Sequence, residues 1–310
     1  MDRHPTGRSV GSFAAVVDLG RTRIPPLNQT ADLHLHSTAS DGALPPSEVV
    51  RLAAAAGLAA MALTDHDTVA GVAEARSAGA ELGVKVVAGC EFSVKVEWGE
   101  MHLLGYCLPD RHPELIETLD RMRSGRADRG VAMVEAIRRI GFPVAVEDVE
   151  RAAAGAPIGR PHVARVLMER KIVRTFDEAF DRFLGRGRPA YVPKVLPELA
   201  EITGLIRRVG GVSSAAHLRD RGSRSMLSSF REQGLDAVEV RHPSQSGPVR
   251  AELERAADLL GLLKTGGSDS HGEPAVSPSH SVVGGERVPM AWVEAIERLA
   301  AERMPVAPRA

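Results

Sequence analysis

Leu58-Ala59-Ala60-Met61-Ala62-Leu63-Thr64-Asp65-His66-Asp67-Thr68 is the stretch whose reading decides the fold. Its six leading residues are apolar, a run of the length and continuity expected for a strand buried on both faces of a parallel sheet. The run stops abruptly on three consecutive ionisable groups. Val69–Leu82 follows as a helix closed by Gly83, and Val84–Ala88 as a second strand ending at Gly89-Cys90-Glu91. Strand, polar loop, helix, strand is the signature of βα units.

The same unit extends in both directions. Upstream, Ala31–His36 reads as a strand running into the polar loop Ser37–Pro46, with an Ala-rich helix Glu48–Ala56 stopped by Gly57. Downstream, Phe92–Glu97 and Met101–Leu108 form a hairpin about Trp98-Gly99-Glu100. Gly211–Ala216, Leu235–Val240 and Leu262–Gly267 are further strands, and Ala251–Leu260 and Ala291–Glu302 are helices. Between the two halves the character changes: residues 110–195 are charged, Arg-rich and mostly helical, broken at Gly141-Phe142-Pro143 and Gly159-Arg160-Pro161. The reading is an α/β domain, a parallel sheet or barrel, over 31–109 and 196–310, a helical subdomain inserted at 110–195, and an irregular N-terminal extension over 1–30.

Composition bounds the function. The chain has 310 residues, 44% hydrophobic and 25% charged, enough for a large buried core. With 39 Lys plus Arg against 40 Asp plus Glu the net charge is −1, which argues against a broad grip on duplex nucleic acid or an anionic membrane. Cys90 and Cys107 read as core thiols rather than a disulfide scaffold. No apolar run reaches the roughly 18 residues that span a bilayer. Ser12–Leu19 is short, holds Asp18 and lacks the flanks of a secretory signal, so a cytoplasmic location is expected.

Eleven histidines stand out, several beside carboxylates at strand ends. In His34-Leu35-His36 the two imidazoles share one strand face and can reach one ion. Asp41 stands in Ser40-Asp41-Gly42, which is also ordinary turn chemistry. His66 lies between Asp65 and Asp67, and carboxylates beside an imidazole orient it as a ligand, although Asp67 would also serve as a helix cap. Glu91 ends an apolar run, where an unpaired carboxylate is expensive. His102 and His217, read singly, are more often satisfied core histidines than ligands. Asp269-Ser270-His271 repeats the i, i+2 spacing after Gly266-Gly267-Ser268. Together these are nine nitrogen and oxygen donors without a cysteine, too many for one ion and suited to two or three of Zn, Mn or Fe, with Mg also admissible.

Asp32-Leu33-His34-Leu35-His36-Ser37, Ser40-Asp41-Gly42, Thr64-Asp65-His66-Asp67-Thr68, Glu91, His102, Ala216-His217 and Gly267-Ser268-Asp269-Ser270-His271-Gly272 resemble, in order, the motifs of the polymerase-and-histidinol-phosphatase (PHP) metallophosphoesterases. The resemblance spans residues 32–272. It implies a distorted (β/α)7 barrel with a metal cluster at its C-terminal rim. It implies one ion on His34, His36, Glu91 and Asp269, a second on Asp41, His66 and His271, and a third on Glu91, His102 and His217. The segments Gly159–Arg165 and Gly187–Pro193 resemble the nucleotide-phosphoesterase and exonuclease-like branch, whose helical insertion covers the barrel mouth. The chain departs from the family at Leu218-Arg219, where Pro usually follows the histidine, and at Gln245, where a second histidine is expected.

The expected activity is hydrolysis of phosphate monoesters of small nucleotides, a nucleoside 3',5'-bisphosphate or a 5'-mononucleotide such as AMP, by a metal-activated hydroxide. Alternatives are a 5'-to-3' exoribonuclease on short RNA and, in another class, a non-catalytic metal or nucleotide sensor. Histidinol phosphatase is disfavoured by the insertion. Arg160 and His162 are the first candidates for phosphate contacts, then Arg188 and Lys194. Each of these side chains is also readable as a solvated charge. His242 is a candidate for protonating the leaving oxygen or binding substrate, and Asp65 for supporting catalysis beside His66. The sequence leaves the oligomeric state open.

Overall fold

The structure is a computed structural model that describes residues 29–153, 158–272 and 280–304. Most of the expected N-terminal extension lies outside the described residues, and Thr30 already belongs to the first strand.

Among the described residues eight strands form one sheet. In chain order they are β1 (Thr30–Leu35), β2 (Ala60–Leu63), β3 (Lys85–Val96), β4 (Gly99–Tyr106), β5 (Val212–Ala215), β6 (Ala237–Arg241), β7 (Leu263–Gly266) and the two-residue β8 (Val288–Pro289). Their order across the sheet is β7-β6-β5-β4-β3-β2-β1-β8. β1, β2 and β3 are parallel, as are β5, β6 and β7, while β4 is antiparallel to both its neighbours. β8, which has no signal in the sequence, pairs antiparallel with the start of β1. The sheet curls until its edges meet: His36 N–H donates to Ser270 O (3.0 Å) and Asp269 N–H to His34 O (2.9 Å). The result is a nearly closed barrel, with the C-terminal ends of the parallel strands gathered at one rim.

The outer helices are α1 (Pro46–Ala55), α2 (Val72–Leu82), α7 (Leu199–Arg208), α8 (Arg224–Glu232), α9 (Gly247–Leu260) and α10 (Met290–Arg303). α2 and α9 each stop at a left-handed glycine, Gly83 and Gly261. Two helices begin away from their expected starts. α2 starts at Val72 because the Thr68 hydroxyl takes the Ala70 N–H and holds a turn before it. α9 starts at Gly247, with proline in its first turn.

One strand is longer than the sequence reading allows. β3 runs unbroken through Gly89-Cys90-Glu91 because it changes partner there: Lys85–Ala88 pair with β2, and Gly89–Val96 pair with β4. Glu91 therefore sits inside β3 rather than at its end.

The segment between β4 and α7 holds α3 (Pro113–Arg139), α4 (Val146–Ala153), α5 (Arg160–Glu169), the single turn α6 (Phe176–Ala179) and a π-helical turn Phe180–Leu184. Its core, including Met133, Ile137, Val149, Val163, Leu167, Phe183 and Leu184, is a separate apolar cluster. Leu115 and Leu119, at the start of α3, belong to the barrel core instead. A single 27-residue helix, which begins after the loop that follows β4, thus leaves one core and enters the other.

Candidate metal centre

Polar residues from several strands meet at the rim, and the strands explain why. His34 and His36 leave the same face of β1, with ring centroids 5.2 Å apart. Asp41 comes from the loop after β1, His66 from just beyond β2, Glu91 from within β3 and His102 from β4. His217, His242, Asp269 and His271 follow β5, β6 and β7. The Asp67 N–H to Glu91 O bond (3.0 Å) and the Glu91 N–H to Asp65 O bond (3.2 Å) lay the loop after β2 alongside β3 and bring His66 to Glu91. Asp67, His217 and Asp269 have φ values of 53°, 29° and 53°. Non-glycine residues in the left-handed region are strained, and here all three lie at the ends of ligand-bearing strands.

Glu91 is the hub. Its Oε2 lies 3.2 Å from Nε2 of His34, 3.2 Å from Nε2 of His36 and 3.3 Å from Nδ1 of His66. Its Oε1 lies 2.8 Å from Nδ1 of His102 and 3.1 Å from Nε2 of His217. Asp269 Oδ1 lies 3.4 Å and 3.2 Å from Nε2 of His34 and His36. Asp41 stands 3.5 Å from Nε2 of His271 and 3.8 Å from ring nitrogens of His36 and His66. The donor atoms of His34, His36, Glu91 and Asp269 fall within 4.8 Å of one another, as do those of His36, Asp41, His66 and His271, and those of His66, Glu91 and His102.

All nine donors implied by the resemblance are thus brought into one cluster. His36 faces two of the groups, with Nε2 toward Glu91 and Asp269 and Nδ1 toward Asp41.

These residues fit divalent metal. Both ring nitrogens of His36 are buried without hydrogen-bond geometry, although carboxylate oxygens stand 3.2 Å from Nε2. Such an arrangement is expected of ligands facing a common point rather than of donor–acceptor pairs. The set is imidazole and carboxylate throughout. Neighbouring Cys90 is buried, and desolvation holds its thiol far above its ordinary pKa, so it offers no thiolate.

Without metal the cluster neutralises itself with protons. Burial opposes charge on His36, but the nearby Asp269 and Glu91 carboxylates overcome it and push the pKa up to about 10. Burial likewise opposes charge on His102, and Glu91 and Glu100 push it up to about 9. Burial would raise Glu91, Asp41 and Asp269, yet the surrounding imidazoles hold all three well below the carboxylate range. His217 goes the other way, lowered mainly by burial.

Supporting residues hold these ligands. Glu239, on β6, places Oε1 3.0 Å from Nδ1 of His34, and its Oε2 accepts the His217 N–H at 2.7 Å. The sequence reading passed over it. An acidic residue inside the apolar run Leu235–Val240 was the available signal, since burial there demands a partner. Gln245, standing where a histidine was expected, donates through Nε2 to the Glu239 backbone carbonyl (3.0 Å). His280 was also missed: its Nε2 is 3.5 Å from Asp269, and its ring stacks on His271 at 4.5 Å.

The cluster floors a cavity of about 910 Å³ whose other walls include Arg160, His162 and Arg165 of α5, Phe176 and Phe180 beyond it, and Arg219. His242 lines it too, with Nε2 3.3 Å from Asp269 Oδ2 and Nδ1 receiving the Ser244 N–H at 3.2 Å. His162 reaches the cavity but also accepts the Gly159 N–H at Nδ1 (3.0 Å), capping α5.

Three expected residues lie elsewhere. Asp65 accepts from Ser37 N–H (2.8 Å), Ser37 Oγ–H (2.6 Å) and Ser40 Oγ–H (2.6 Å), so its carboxylate holds the loop after β1 and does not line the cavity. Lys194 is drawn aside to Glu100 at 3.2 Å. Arg188 is exposed in a turn closed by its N–H on Gly185 O (3.0 Å).

Comparison with known proteins places this geometry. Residues 32–142 match the PHP domain. A 5'-3' exoribonuclease of Haemophilus influenzae is 34% identical over 245 residues, covering 77% of this chain and 89% of the relative. A 3',5'-nucleoside bisphosphate phosphatase of Chromobacterium violaceum is 34% identical over 248 residues, covering 77% and 86%. The crystal structure of a putative metal-dependent phosphoesterase from Bifidobacterium adolescentis superposes with a TM-score of 0.78 at 30% identity, covering 87% of this chain and 96% of that one. Identity at this level over nearly the whole of each relative, with a shared fold, means that the chain belongs to the PHP family of metal-dependent phosphoesterases.

Proposed function

We propose that the protein hydrolyses phosphate esters of small nucleotides, a nucleoside 3',5'-bisphosphate or a 5'-mononucleotide, with two or three divalent ions held by the nine donors. The observation that carries this reading is the single cavity in which the donor cluster faces arginines and two phenylalanines. When bound, the ions supply Lewis-acid polarisation of phosphoryl oxygens and make water acidic enough to ionise near neutral pH. Mn, Zn and Fe all suit the donor set, and Mg is admissible.

The chain's own residues divide the remaining work. Arg160 and Arg219 stand where the oxygens of a phosphate on the cluster would meet them, and guanidinium groups grip such oxygens in pairs. Phe176 and Phe180 offer a nucleobase a flat apolar wall. Nδ1 of His242 accepts the Ser244 N–H, so a proton on this ring would sit on Nε2, beside Asp269 Oδ2 at the cavity wall. That proton is placed to pass to the departing oxygen. Asp65 acts through the loop it holds, not on substrate. The helical segment 110–195 supplies the substrate side of the cavity and the barrel supplies the ligands. Free cysteines at 90 and 107 support a reducing compartment, and we assign the reaction to the cytoplasm.

The test is release of phosphate from a nucleoside 3',5'-bisphosphate and from AMP, with Mn²⁺ and with chelator. Turnover that requires metal supports the reading. Metal binding without turnover of any phosphoester would leave a sensor instead. A second reading, stepwise 5'-to-3' cleavage of short RNA, is favoured by a groove of about 400 Å³, walled by Trp98, that shares His102, Arg160, His217 and Arg219 with the cavity.

A further inference from the structure

Arg160 and Lys194, both from the helical segment, converge on one carboxylate of the barrel. Glu100, near the start of β4, holds Oε1 3.2 Å from Nζ of Lys194, and its Oε2 lies 3.9 Å from a terminal guanidinium nitrogen of Arg160. The same Oε1 stands 3.7 Å from Nε2 of His102. His102 is therefore shared: Nδ1 faces Glu91 at 2.8 Å, inside the donor cluster, and Nε2 faces Glu100 outside it. Glu100 and His102 are two residues apart on one strand, so both side chains leave the same face.

The return of the chain from the helical segment fixes this arrangement. Lys95, opposite Glu100 across the hairpin, pairs with Glu198 at 2.7 Å, and its N–H donates to Pro197 O at 2.8 Å. These contacts pin the returning chain beside β3 and bring Lys194 in. The Lys194 side chain is only 9% exposed, and Asp67 Oδ2 also stands 4.0 Å from its Nζ. With Lys194 on Oε1, the other oxygen of Glu100 is left facing Arg160. The Arg160 guanidinium packs over Phe180 at 5.5 Å and lines the main cavity, whereas Glu100 lines the groove beside it. A guanidinium carries five donors, so an edge turned to Glu100 leaves others for a phosphate.

We propose that Glu100 is a positioning residue for the reaction: its carboxylate orients both a metal donor, His102, and the phosphate-binding Arg160, and so sets the helical segment in register with the donor cluster. A carboxylate beside the outer nitrogen of a ligating imidazole fixes the ring and raises its basicity toward the metal. A carboxylate beside a cavity arginine holds a long side chain that would otherwise have to be ordered when substrate binds. In this role Glu100 meets neither the ions nor the substrate and acts through these two side chains. Lys194 holds the carboxylate between them.

The inference rests on the reading of Arg160 as a phosphate contact, and the experiment separates the two. Mn²⁺ affinity is measured by calorimetric titration, and KM and kcat for a nucleoside 3',5'-bisphosphate at saturating Mn²⁺. The proteins compared are the intact chain, Glu100→Ala, Glu100→Gln, Arg160→Ala and the double variant Glu100→Gln with Arg160→Ala, each with its fold checked by circular dichroism. Glu100→Ala is expected to weaken Mn²⁺ binding about tenfold, whereas Glu100→Gln, whose amide oxygen can still face His102 and Lys194, stays within about threefold. Glu100→Gln loses the charge opposite Arg160 and should raise KM about fivefold, with kcat within about twofold. Adding Glu100→Gln to Arg160→Ala should change KM by less than about twofold, because Glu100 reaches substrate only through that guanidinium. Additive increases in KM, an unchanged KM in Glu100→Gln, or unchanged Mn²⁺ binding in Glu100→Ala would overturn the shared role. Should Glu100→Ala not fold, the Glu100→Gln cycle decides. Failure of the intact protein to turn over the bisphosphate would overturn the nucleotide reading, while Mn²⁺ titration of Glu100→Ala would still judge the hold on His102.

Discussion

Oε1 of Glu239 lies 3.0 Å from Nδ1 of His34, which leaves Nε2 as the ring's free face toward Glu91 and Asp269. Its other oxygen holds the His217 backbone, so one carboxylate sets two ligands on opposite sides of the barrel. Glu239→Gln is expected to lower metal affinity about 10- to 100-fold, as loss of such supporting carboxylates does. Calorimetric titration of metal into the chelator-treated protein measures this, with circular dichroism to show an unchanged fold. Unaltered affinity would remove Glu239 from the site.

Acid and metal compete for the same atoms. His36 and His102, raised to about 10 and about 9 in the metal-free chain, lend it stability that is complete below about pH 6.5, the unfolded value, and lost as pH rises through 9 to 10. Asp41, Glu91 and Asp269, lowered by the same rings, lend stability above about pH 4 that is lost in stronger acid. Metal must displace the imidazole protons, so its affinity rises with pH. The gain in Tm on adding Mn²⁺ should be larger at about pH 8.5 than at about pH 6, and binding should release protons. An equal gain at both values would mean that these imidazoles do not bind the ion.

Barrel closure has a narrow tolerance at Gly267. A Cβ there would lie 2.4 Å from the backbone nitrogen of His34 and 2.8 Å from Oδ1 of Asp32. Asp32 accepts the Ser268 N–H (2.9 Å) and the Gly284 N–H (2.8 Å), tying β1 to the chain after β7, and burial raises its pKa to about 6. Gly267→Ala is expected to destabilise by about 3 kcal/mol, at the upper end for overpacking a core. Urea unfolding checks the loss, and metal affinity should fall with it because His34 is displaced.

In the proposed reading Arg160 serves the substrate rather than the ions. Its guanidinium lines the cavity, packs over Phe180 at 5.5 Å and stands 3.9 Å from Glu100. Arg160→Ala should raise KM for a nucleoside bisphosphate about tenfold, the value of one charge-assisted contact, and leave metal content untouched. A change in metal content with constant KM would reassign it.

The donors were legible because period-2 geometry and strand-end position are local. His34 with His36, and Asp269 with His271, announce shared faces by spacing alone. Cooperation across the barrel was not local: no spacing links Glu239 to His34, 205 residues apart. β3 hid its length because the glycine that reads as a stop marks a change of partner strand. The phosphate-side residues are the least legible, since an Arg in an Arg-rich chain carries no address. Packing placed Arg160, Arg165 and Arg219 on the cavity and left Arg188 outside. Asp65 stands out in the sequence beside His66, but its carboxylate is spent on two serines of another loop.

The most direct test of the central claim is phosphate release from a nucleoside 3',5'-bisphosphate by the intact protein and by Asp269→Ala. Each is measured with Mn²⁺, after chelation, and after Mn²⁺ is restored. Asp269 stands within reach of His34, His36 and His242 at once, so its loss should abolish turnover. The account predicts release by the intact protein that vanishes with chelator, returns with metal and is absent in the variant. Turnover indifferent to chelator, or undiminished in Asp269→Ala, would contradict it.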